Sequence, residues 1–301
     1  MTPTRLSPEA TDLRSALLAW YDREHRSFPW RGLTDPYAVL VSEVMLQQTQ
    51  ASRVAERFPR FMARFPTAPA LAAATATELL AEWSGLGYNR RALSLQRAAS
   101  IIVRDGWPET VEGLGRLPGI GPYTARAVAS LAFGSPVGVV DTNVRRWLIR
   151  RLGVTDAPMQ LQRAADALAI AAPDGRAADW THVTMEFGAS VCRSRAPRCG
   201  DCPIADGCPS RGVAPRVPVA SQAPLRGSDR AYRGAVVRLL AEVGGDGLAE
   251  PTLRRRIAAD AGAGPALDHG RWTRVLDALQ RDGLVHRTGV VVRLGAATIG
   301  P

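Results

Sequence analysis

The sequence predicts a mostly helical protein that ends in a small α+β module. Before residue 210, apolar residues recur at helical spacing, and no convincing run of alternating strand residues is present. Four cysteines are grouped over 192–208, and a Pro-rich stretch follows them. Three helical segments and a hairpin pattern come next. We therefore expect an all-α domain over 1–208, a linker over 209–229 and a winged-helix-like module over 230–301.

The all-α domain is expected to contain two lobes, a six-helix lobe over about 27–135 and a second lobe formed by about 8–26 and 136–208. In the first helix, over 8–25, Leu13, Leu17 and Trp20 lie on one stripe. The helices predicted after it cover 38–58 as one long helix, 68–83 as one or two helices, 92–104, a short and a longer helix between 110 and 135, then 144–152, 158–171 and 176–190.

The C-terminal module is predicted from three amphipathic segments and one alternating segment. Its helices are expected over 231–243, 252–261 and 271–281, and its hairpin is expected to turn at Thr288–Gly289. Two interpretations of five arginines in this module stay open, added affinity for a polyanionic partner or a solvated basic surface. These residues are Arg254, Arg255, Arg256, Arg271 and Arg274.

The charge of the chain favours a polyanionic partner. The formal net charge is +10 and the pI is about 10.5, which is typical of nucleic-acid-binding proteins but also of proteins from arginine-rich proteomes. The sequence contains no lysine, so all 38 basic side chains are arginines. A guanidinium binds phosphate well but cannot act as an amine nucleophile, so no side chain is available for a Schiff-base mechanism. The chain has no secretion signal and no apolar stretch of membrane-spanning length, so we expect a cytoplasmic, nucleoid-associated protein.

A Pro/Gly hairpin precedes one of the predicted helices. In LPGIGPYTA (117–125), Gly119 and Gly121 lie two positions apart, just before the helix expected from Arg126. Glycine lets the backbone turn tightly and bring N–H groups against an anion, and a helix N-terminus adds partial positive charge. The pattern favours a phosphate site that reads no base sequence, although an ordinary turn between two helices has the same composition.

Two carboxylates are candidates for acid and base chemistry. Glu43 lies on the apolar stripe of a predicted helix, so we expect burial to raise its pKa and suit it to donating a proton, unless an arginine neutralises it in the core. Asp141 precedes a predicted helix, where N–H donors and the helix dipole would keep it ionised, as in an ordinary N-cap. A neutral Glu and an ionised Asp together suit the cleavage of a purine N-glycosidic bond.

The cysteine group predicts a metal site. Four thiols close together in a chain expected to be cytoplasmic favour a metal ion or cluster over disulfides. Zinc and [4Fe–4S] both accept four thiolates, so the choice between them stays open, as does a purely structural role. The cysteines are Cys192, Cys199, Cys202 and Cys208.

Taken together, these motifs resemble the helix-hairpin-helix DNA glycosylases that carry an iron–sulfur cluster, and within them the MutY-type adenine glycosylases. The resemblance covers roughly residues 10–210. It implies a [4Fe–4S] cluster on the four cysteines and hydrolysis of the N-glycosidic bond of adenine mispaired with 8-oxoguanine or guanine in double-stranded DNA. We expect a monomer. The motifs are FPWR (28–31), SEVMLQQTQ (42–50), WSGLGY (83–88), LPGIGPYTA (117–125), VDTNV (140–144) and the cysteine spacing.

The resemblance also implies catalytic roles. Glu43 matches the acid that protonates the flipped adenine, and Asp141 matches the carboxylate that stabilises the sugar cation. Tyr123 and Asn143 would line the same pocket. The lyase branch of the superfamily has an attacking lysine where this chain has Tyr123, so the resemblance implies a monofunctional glycosylase. Residues implied to bind DNA or the adenine are Trp30, Arg31, Gln47, Gln48, Leu86, Tyr88, Gly119 and Gly121.

Among these residues, Gln48 and Tyr88 match residues that enter the duplex at the opposite base. The chain departs from the family pattern at Asn89, where many members have Tyr, and at Thr142, where Gly is usual. Its C-terminal module also lacks the β-rich pattern that reads 8-oxoguanine in many relatives. Two alternatives stay open, the same fold acting on thymine or uracil opposite G, and a non-catalytic DNA-binding relative.

Overall fold

The computed structural model describes residues 8–171, 175–213, 217–218, 224–259 and 267–295, with side chains from residue 13 onward. Most of these residues lie in helices, and none of those helices is long and apolar enough to cross a membrane. In chain order the helices are α1 (Pro8–Glu24), α2 (Pro36–Leu46), α3 (Ala51–Arg64), α4 (Ala68–Ala72), α5 (Ala76–Trp83), α6 (Arg90–Asp105), α7 (Val111–Gly115), α8 (Pro122–Phe133), α9 (Thr142–Leu152), α10 (Pro158–Ile170), α11 (Ala177–Ser190), α12 (Asp229–Val243), α13 (Glu250–Ala259) and α14 (His269–Arg281).

One predicted helix is wrong. The segment 38–58 is not continuous, because α2 ends and four residues pass before α3 begins. Within this break Gln48 has a φ of +55°. The Arg91 guanidinium donates hydrogen bonds to the carbonyls of Val44 and Met45, at 2.8 and 3.1 Å. A continuing helix would need those carbonyls for its own N–H groups, so a contact distant in sequence favours ending the helix here.

The chain divides into two compact units by contact density. The first comprises Met1–Glu43 and Pro108–Ala220, and the second comprises Val44–Trp107 and Ser221–Pro301. The domain boundaries expected at 208 and 229 stay a prediction. Parts of the expected linker, and the last two residues of the helix expected over 252–261, lie outside the described residues.

The core of the first unit is formed mainly by α1, α9, α10 and α11. Phe187 lies at its centre and makes edge-to-face contacts with Trp20 and Trp147, with ring centroids 5.8 and 5.9 Å apart. A Cβ added to Gly188 would lie 2.7 Å from the backbone oxygen of Asn143. Glycine therefore allows α11 to approach the start of α9 this closely.

In the second unit, the C-terminal module contains a three-stranded antiparallel sheet as well as α12–α14. The strands are β1 (Leu248–Ala249), β2 (Val285–Thr288) and β3 (Val291–Leu294), with β3 between the other two. The order α12–β1–α13–α14–β2–β3 confirms the predicted small α+β module. The hairpin turns at Gly289–Val290, one residue later than predicted. Sequence reasoning missed β1, because two residues are too short for a visible alternation.

Candidate active site

Within the first unit, Glu43 lies on α2 among buried apolar side chains and is only 4% exposed. Burial raises its pKa to about 7, and the charge of Asp141 adds to the rise. The Arg31 guanidinium and a hydrogen bond from Tyr123 oppose it. The Oε2 atom of Glu43 has no hydrogen-bond partner among the described residues. The expected rise in this pKa is confirmed, and the side chain suits proton donation near neutral pH.

Tyr123 lies in the first turn of α8, directly after the hairpin. Its hydroxyl donates to Sδ of Met185 at 3.7 Å and also lies within hydrogen-bonding range of the Glu43 carboxylate. Burial, followed by the charges of Glu43 and Asp141, holds the pKa of Tyr123 well above its usual value. The phenol is therefore a neutral hydrogen-bond donor to the acid at any ordinary pH.

The two hairpin glycines have different backbone requirements. Gly119 has a φ of +78°, a conformation that side chains rarely adopt. Gly121 has an ordinary φ of −84° and is the N-cap residue of α8, without a capping side chain. A Cβ added to Gly121 would meet no atom of the described residues within 4 Å. Gly119 is thus needed for the turn, whereas Gly121 leaves open space beside the uncapped start of a helix.

Asp141 is the N-cap residue of α9, as predicted. Its Oδ1 accepts from the backbone N–H groups of Asn143 and Val144, at 2.8 and 2.6 Å. Its Oδ2 accepts from the side-chain amide of Asn143 at 2.8 Å. Burial raises the pKa of Asp141, whereas these hydrogen bonds and the Arg146 charge lower it. The sequence predicted the donors but not the burial that opposes them.

Asn143 is held in turn by Arg146, whose residue is 3% exposed. The Nη2 atom of Arg146 donates to Oδ1 of Asn143 at 2.8 Å and to the Gly188 carbonyl at 2.6 Å. Its Nε atom donates to the Cys192 carbonyl at 2.8 Å. A continuous hydrogen-bond chain thus joins the cysteine segment to Asp141. Sequence reasoning did not single out Arg146, because its acceptors are backbone atoms distant in sequence.

Arg31 and Glu186 form a second buried charged group in the first unit. Glu186 is 1% exposed and forms ion pairs with Arg31 at 2.9 Å and with Arg26 at 2.5 Å. The Nε and Nη1 atoms of Arg31 are buried without hydrogen-bond partners among the described residues. Trp30 is also buried, and its ring stacks on Phe28 at a centroid distance of 4.9 Å. Sequence reasoning missed Glu186, although its position on a helix rich in buried residues was a signal.

The other predicted DNA-contacting residues lie in the second unit, on two loops that we call the loop pair, residues 47–50 and 84–89. Gln47 and Gln48 belong to the first loop, and Leu86 and Tyr88 to the second. Gln48 and Tyr88 both have positive φ values, +55° and +48°. Such a conformation costs roughly 1–3 kcal/mol in a residue with a side chain, so surrounding contacts must hold both loops.

Arg91 supplies those contacts. Its Nη1 donates to the carbonyls of Val44, Met45 and Gln47, and its Nη2 donates to the Thr49 hydroxyl and to two carbonyls of the second loop. These last acceptors, in Leu86 and Gly87, lie 3.2 and 3.0 Å away. Burial lowers the pKa of Arg91 to about 10, so it stays charged at neutral pH. One guanidinium therefore joins the two loops, which the sequence did not indicate.

The four cysteines line one cavity in the first unit, together with Arg150 and Arg151. The Nη1 atom of Arg150 lies 3.8 Å from Sγ of Cys192 and donates to the Arg193 carbonyl at 2.7 Å. Burial raises the pKa of Cys202 to about 11, and the Arg150 charge opposes a similar rise at Cys192. Four half-buried thiols with guanidinium groups beside them are a chemically suitable donor set for a metal centre, because thiolates bind the metal and the guanidinium groups balance their charge. No three His, Cys, Asp or Glu side chains in the described part of the chain are arranged for a single metal ion.

Comparison with known proteins shows similarity to base excision DNA repair glycosylases. Residues 41–169 match the model of the HhH-GPD superfamily base excision DNA repair proteins. The adenine DNA glycosylase of Mycobacterium tuberculosis (strain ATCC 25618 / H37Rv) is 41% identical over 292 residues, covering 90% of each chain. The human adenine DNA glycosylase is 39% identical over 73% of this chain and 43% of its own length.

A solved structure adds evidence on the fold. The structure of a thermostable thymine-DNA glycosylase is similar with a TM-score of 0.61 and 28% identity, covering 67% of this chain and 95% of the other. The mycobacterial match extends over nearly the whole chain, beyond the part that the family model covers. On this identity and coverage, the chain belongs to the adenine DNA glycosylases of the HhH-GPD superfamily.

Proposed function

We propose that the protein is a monofunctional glycosylase that removes adenine mispaired with 8-oxoguanine or guanine, acting as a monomer on duplex DNA. The observation that carries this proposal is the pair Glu43 and Asp141. Glu43 is buried and Asp141 is half-buried, and their charges act on each other, but their hydrogen-bonding environments are opposite. Asp141 accepts three N–H groups, whereas Oε2 of Glu43 has no hydrogen-bond partner in the part of the chain that the structure describes. Hydrogen-bond donors favour the ionised form of a carboxyl group, and their lack favours the neutral form. Within one site, Glu43 can therefore act as an acid while Asp141 acts as an anion.

Glu43 is assigned the proton transfer. With a pKa of about 7, a large fraction of the side chain is protonated at neutral pH. The proton passes to a ring nitrogen of the flipped adenine, so that the base leaves as a neutral molecule when the bond to C1′ breaks. General acid catalysis of this kind contributes on the order of 10² to 10⁴ in rate. The charge of Arg31 and the hydrogen bond from Tyr123 lower the pKa of Glu43 and so partly offset the effect of burial.

Asp141 is assigned the stabilisation of the sugar. Departure of the base leaves a positively charged, oxocarbenium-like sugar, which an ionised carboxylate stabilises. The three N–H groups from Asn143 and Val144 keep this carboxylate fixed. They also lower its pKa, which opposes the rise caused by burial and favours the ionised form. Water then adds its hydroxyl to C1′ and releases a proton. The products are free adenine and an intact strand with an abasic site.

The absence of lysine supports hydrolysis without strand cleavage. A lyase needs an uncharged amine that attacks C1′ and forms a Schiff base. All 38 basic side chains of this chain are guanidinium groups. Tyr123 has a phenol whose pKa lies well above its usual value, so it is not an effective nucleophile either.

The remaining predicted residues are assigned to binding. Trp30 and Arg31 bind on the adenine side. Gly119 and Gly121 bring backbone N–H groups to a phosphate, which the open space beside Gly121 supports. The wedge at the opposite base consists of residues from the loop pair, and stable preorganised loops lower the free-energy cost of inserting them. These residues are Gln47, Gln48, Leu86 and Tyr88.

We also assign a [4Fe–4S] cluster to the four cysteines. Four free thiols around one cavity, with Arg150 beside Cys192, match the sulfur ligands and the charge balance that such a cluster needs. The ligands would be Cys192, Cys199, Cys202 and Cys208. A bound cluster would supply a rigid, redox-capable centre, and the Arg146 chain would carry that rigidity to Asn143.

A second candidate is removal of thymine or uracil opposite guanine. The similarity of the fold to a thymine-DNA glycosylase favours it. The buried acid at Glu43 counts against it, since a pyrimidine gains less than a purine from protonation of the leaving base. A non-catalytic DNA-binding protein is less well supported, because both carboxylates are present in one coupled site.

The test is a panel of labelled duplexes that carry A opposite 8-oxoguanine, G, C or T, and T or U opposite G. We expect alkali-labile abasic sites only from A opposite 8-oxoguanine or G, and no strand break without alkali. Glu43→Gln should lower the single-turnover rate by on the order of 10²-fold or more. Glu56→Gln, the same change at an exposed position on α3, is the matched control. Turnover of G:T but not of A mispairs would exclude the adenine proposal, and an active Glu43→Gln would exclude the mechanism.

A further inference from the structure

Tyr88, in the second loop of the loop pair, is contacted by the C-terminal module. Arg230, in the first turn of α12, donates from Nη1 to the Tyr88 hydroxyl oxygen at 2.9 Å. Its guanidinium carbon also lies 5.8 Å from the centre of the Tyr88 ring. A charged donor and a cation–π contact on the same ring fix both the tilt of the ring and the position of its hydroxyl group.

The backbone end of Tyr88 is fixed separately. Its φ of +48° is unfavourable for a residue with a side chain. Arg91 holds the two preceding carbonyls, in Leu86 and Gly87, and its guanidinium carbon lies 5.5 Å from the Tyr88 ring centre. Arg91 therefore fixes the backbone that leads into Tyr88, whereas Arg230 fixes the far end of the side chain.

Arg230 itself is carried by an anchored helix. Arg233 of α12 forms an ion pair with Asp282, which also lies 3.4 Å from Arg90, close to Tyr88 in sequence. Asp229 of α12 forms an ion pair with Arg271 of α14 at 2.7 Å. Both ion pairs of α12 thus go to α14 or to its C-cap residue, and that C-cap residue is paired in turn with Arg90 of α6. The helix that carries Arg230 is therefore held in place, which keeps the Arg230 guanidinium beside Tyr88.

We propose that Arg230 is a positioning residue for Tyr88, so that the C-terminal module takes part in recognition of the opposite base. The proposal rests on the proposed function, because it needs Tyr88 to enter the duplex. An aromatic ring that is already held in one orientation loses less conformational freedom when it inserts between bases. Loss of Arg230 should therefore weaken binding of mispaired DNA and leave the chemical step unchanged.

The experiment is a double-mutant cycle with Arg230→Met and Tyr88→Phe. Tyr88→Phe removes only the hydroxyl that accepts from Arg230. The probe is a duplex with 2′-fluoro-2′-deoxyadenosine opposite 8-oxoguanine, which binds but resists cleavage, compared with the fully paired duplex. Each single variant should weaken binding of the probe about tenfold relative to the paired duplex. The double variant should bind no more weakly than Arg230→Met, because that single variant already lacks both the hydrogen bond and the cation–π contact.

Arg238→Met is the matched control, since it removes the same charge from an exposed position further along α12. It should weaken binding of both duplexes equally, through the phosphate backbone alone. The single-turnover rate at saturating enzyme should match the wild-type rate for Arg230→Met and for Arg238→Met. The proposal is overturned if Arg230→Met behaves as Arg238→Met does, if Tyr88→Phe binds as the wild type does, or if the two effects multiply.

The wild-type panel separates this proposal from the proposed function. A wild-type protein that does not cleave adenine mispairs contradicts the proposed function and with it the role of Tyr88. A wild-type protein that cleaves them, with unaltered binding in Tyr88→Phe and Arg230→Met, contradicts the positioning role alone. If Arg230→Met lowers the melting temperature strongly, Tyr88→Phe still decides the question, because it leaves the arginine and the ring in place.

Discussion

The site around Glu43 and the loop pair around Arg91 both bury a titratable group, but they differ in how its hydrogen bonds are used. The Arg91 guanidinium donates six hydrogen bonds from its terminal nitrogens, all within the second unit. Glu43 receives one hydrogen bond from Tyr123, and its Oε2 atom has no hydrogen-bond partner among the residues that the structure describes. Among the described residues, Nε of Arg91 also lacks a partner, but both terminal nitrogens are satisfied, so this buried charge stabilises a loop conformation. The Glu43 carboxyl group lacks such compensation, so burial raises its pKa and allows it to change protonation state near neutral pH.

This difference predicts which substitutions affect chemistry and which affect folding. Changes at the carboxylates should reduce the rate of bond cleavage while the protein stays folded. Changes at Arg91 should reduce the free energy of unfolding and should affect DNA binding through the loop pair. The hairpin glycines give a smaller version of the same contrast, because one is needed for the fold and the other leaves space for a ligand.

The largest effect is expected for Asp141→Asn. Asparagine caps a helix nearly as well as aspartate, so α9 should keep its N-terminus. The negative charge beside the sugar is lost, and we expect the single-turnover rate on an A:8-oxoguanine duplex to fall on the order of 10² to 10³-fold. The measurement is rapid mixing with excess enzyme, together with a thermal melt.

Asp268→Asn provides the matched control for this change. Asp268 is the N-cap residue of α14 and accepts from the backbone N–H of Arg271 at 2.7 Å. The same chemical substitution there should leave the rate within about twofold of the wild type. Equal rates for Asp141→Asn and wild type would mean that Asp141 serves only as a cap.

Arg91→Met should have the largest effect on stability. It leaves buried carbonyls of both loops without donors, and we expect the free energy of unfolding to fall by roughly 3 kcal/mol. Arg90→Met, at the neighbouring position, removes a side chain that is 68% exposed and paired to Asp282 at 3.4 Å, and should lower it by less than about 1 kcal/mol. Denaturant titration of both variants measures this difference. Similar values for the two would contradict the role given to Arg91.

The site around Glu43 and the loop pair around Arg91 also differ in how much of each could be predicted from the sequence. Glu43 lies on a local apolar stripe and Asp141 directly precedes a helix, so both could be identified from their neighbours along the chain. Arg91 acts on carbonyls more than forty positions away, such as that of Val44, and no local pattern indicates such a bond. The break between α2 and α3 was missed for the same reason, since it contains no glycine or proline.

A pH effect on stability should follow from Glu43. Its pKa rises from about 4.5 when unfolded to about 7 when folded. Between these values the unfolded chain loses the proton and the folded chain keeps it, so the free energy of unfolding falls as the pH rises from about 4.5 to 7. In Glu43→Gln this fall in the free energy of unfolding is absent, because glutamine does not ionise. We expect the variant to be more stable than the wild type at pH 8, by roughly 1–3 kcal/mol, and similar to it at pH 4.

Denaturant titration at both pH values tests this, with Glu56→Gln as the control at an exposed position. The control should change stability by less than about 0.5 kcal/mol at either pH. An equal gain at pH 4 and pH 8 would assign the effect to packing instead of ionisation. The same titration in the activity assay should give a rate that decreases above about pH 7, as the acid loses its proton.

The smallest effects are expected at the hairpin, where two alanine substitutions should change opposite properties. Gly119→Ala places a side chain at a φ of +78° and should lower the free energy of unfolding by about 1 kcal/mol. Gly121→Ala has an ordinary φ and open space, so it should leave stability unchanged or raise it by about 0.5 kcal/mol. Its methyl group would nevertheless occupy the space assigned to a phosphate, and we expect weaker binding of every duplex, whatever its sequence. If Gly121→Ala binds DNA as the wild type does, the hairpin is only a turn between two helices, and the phosphate contacts lie elsewhere on the chain.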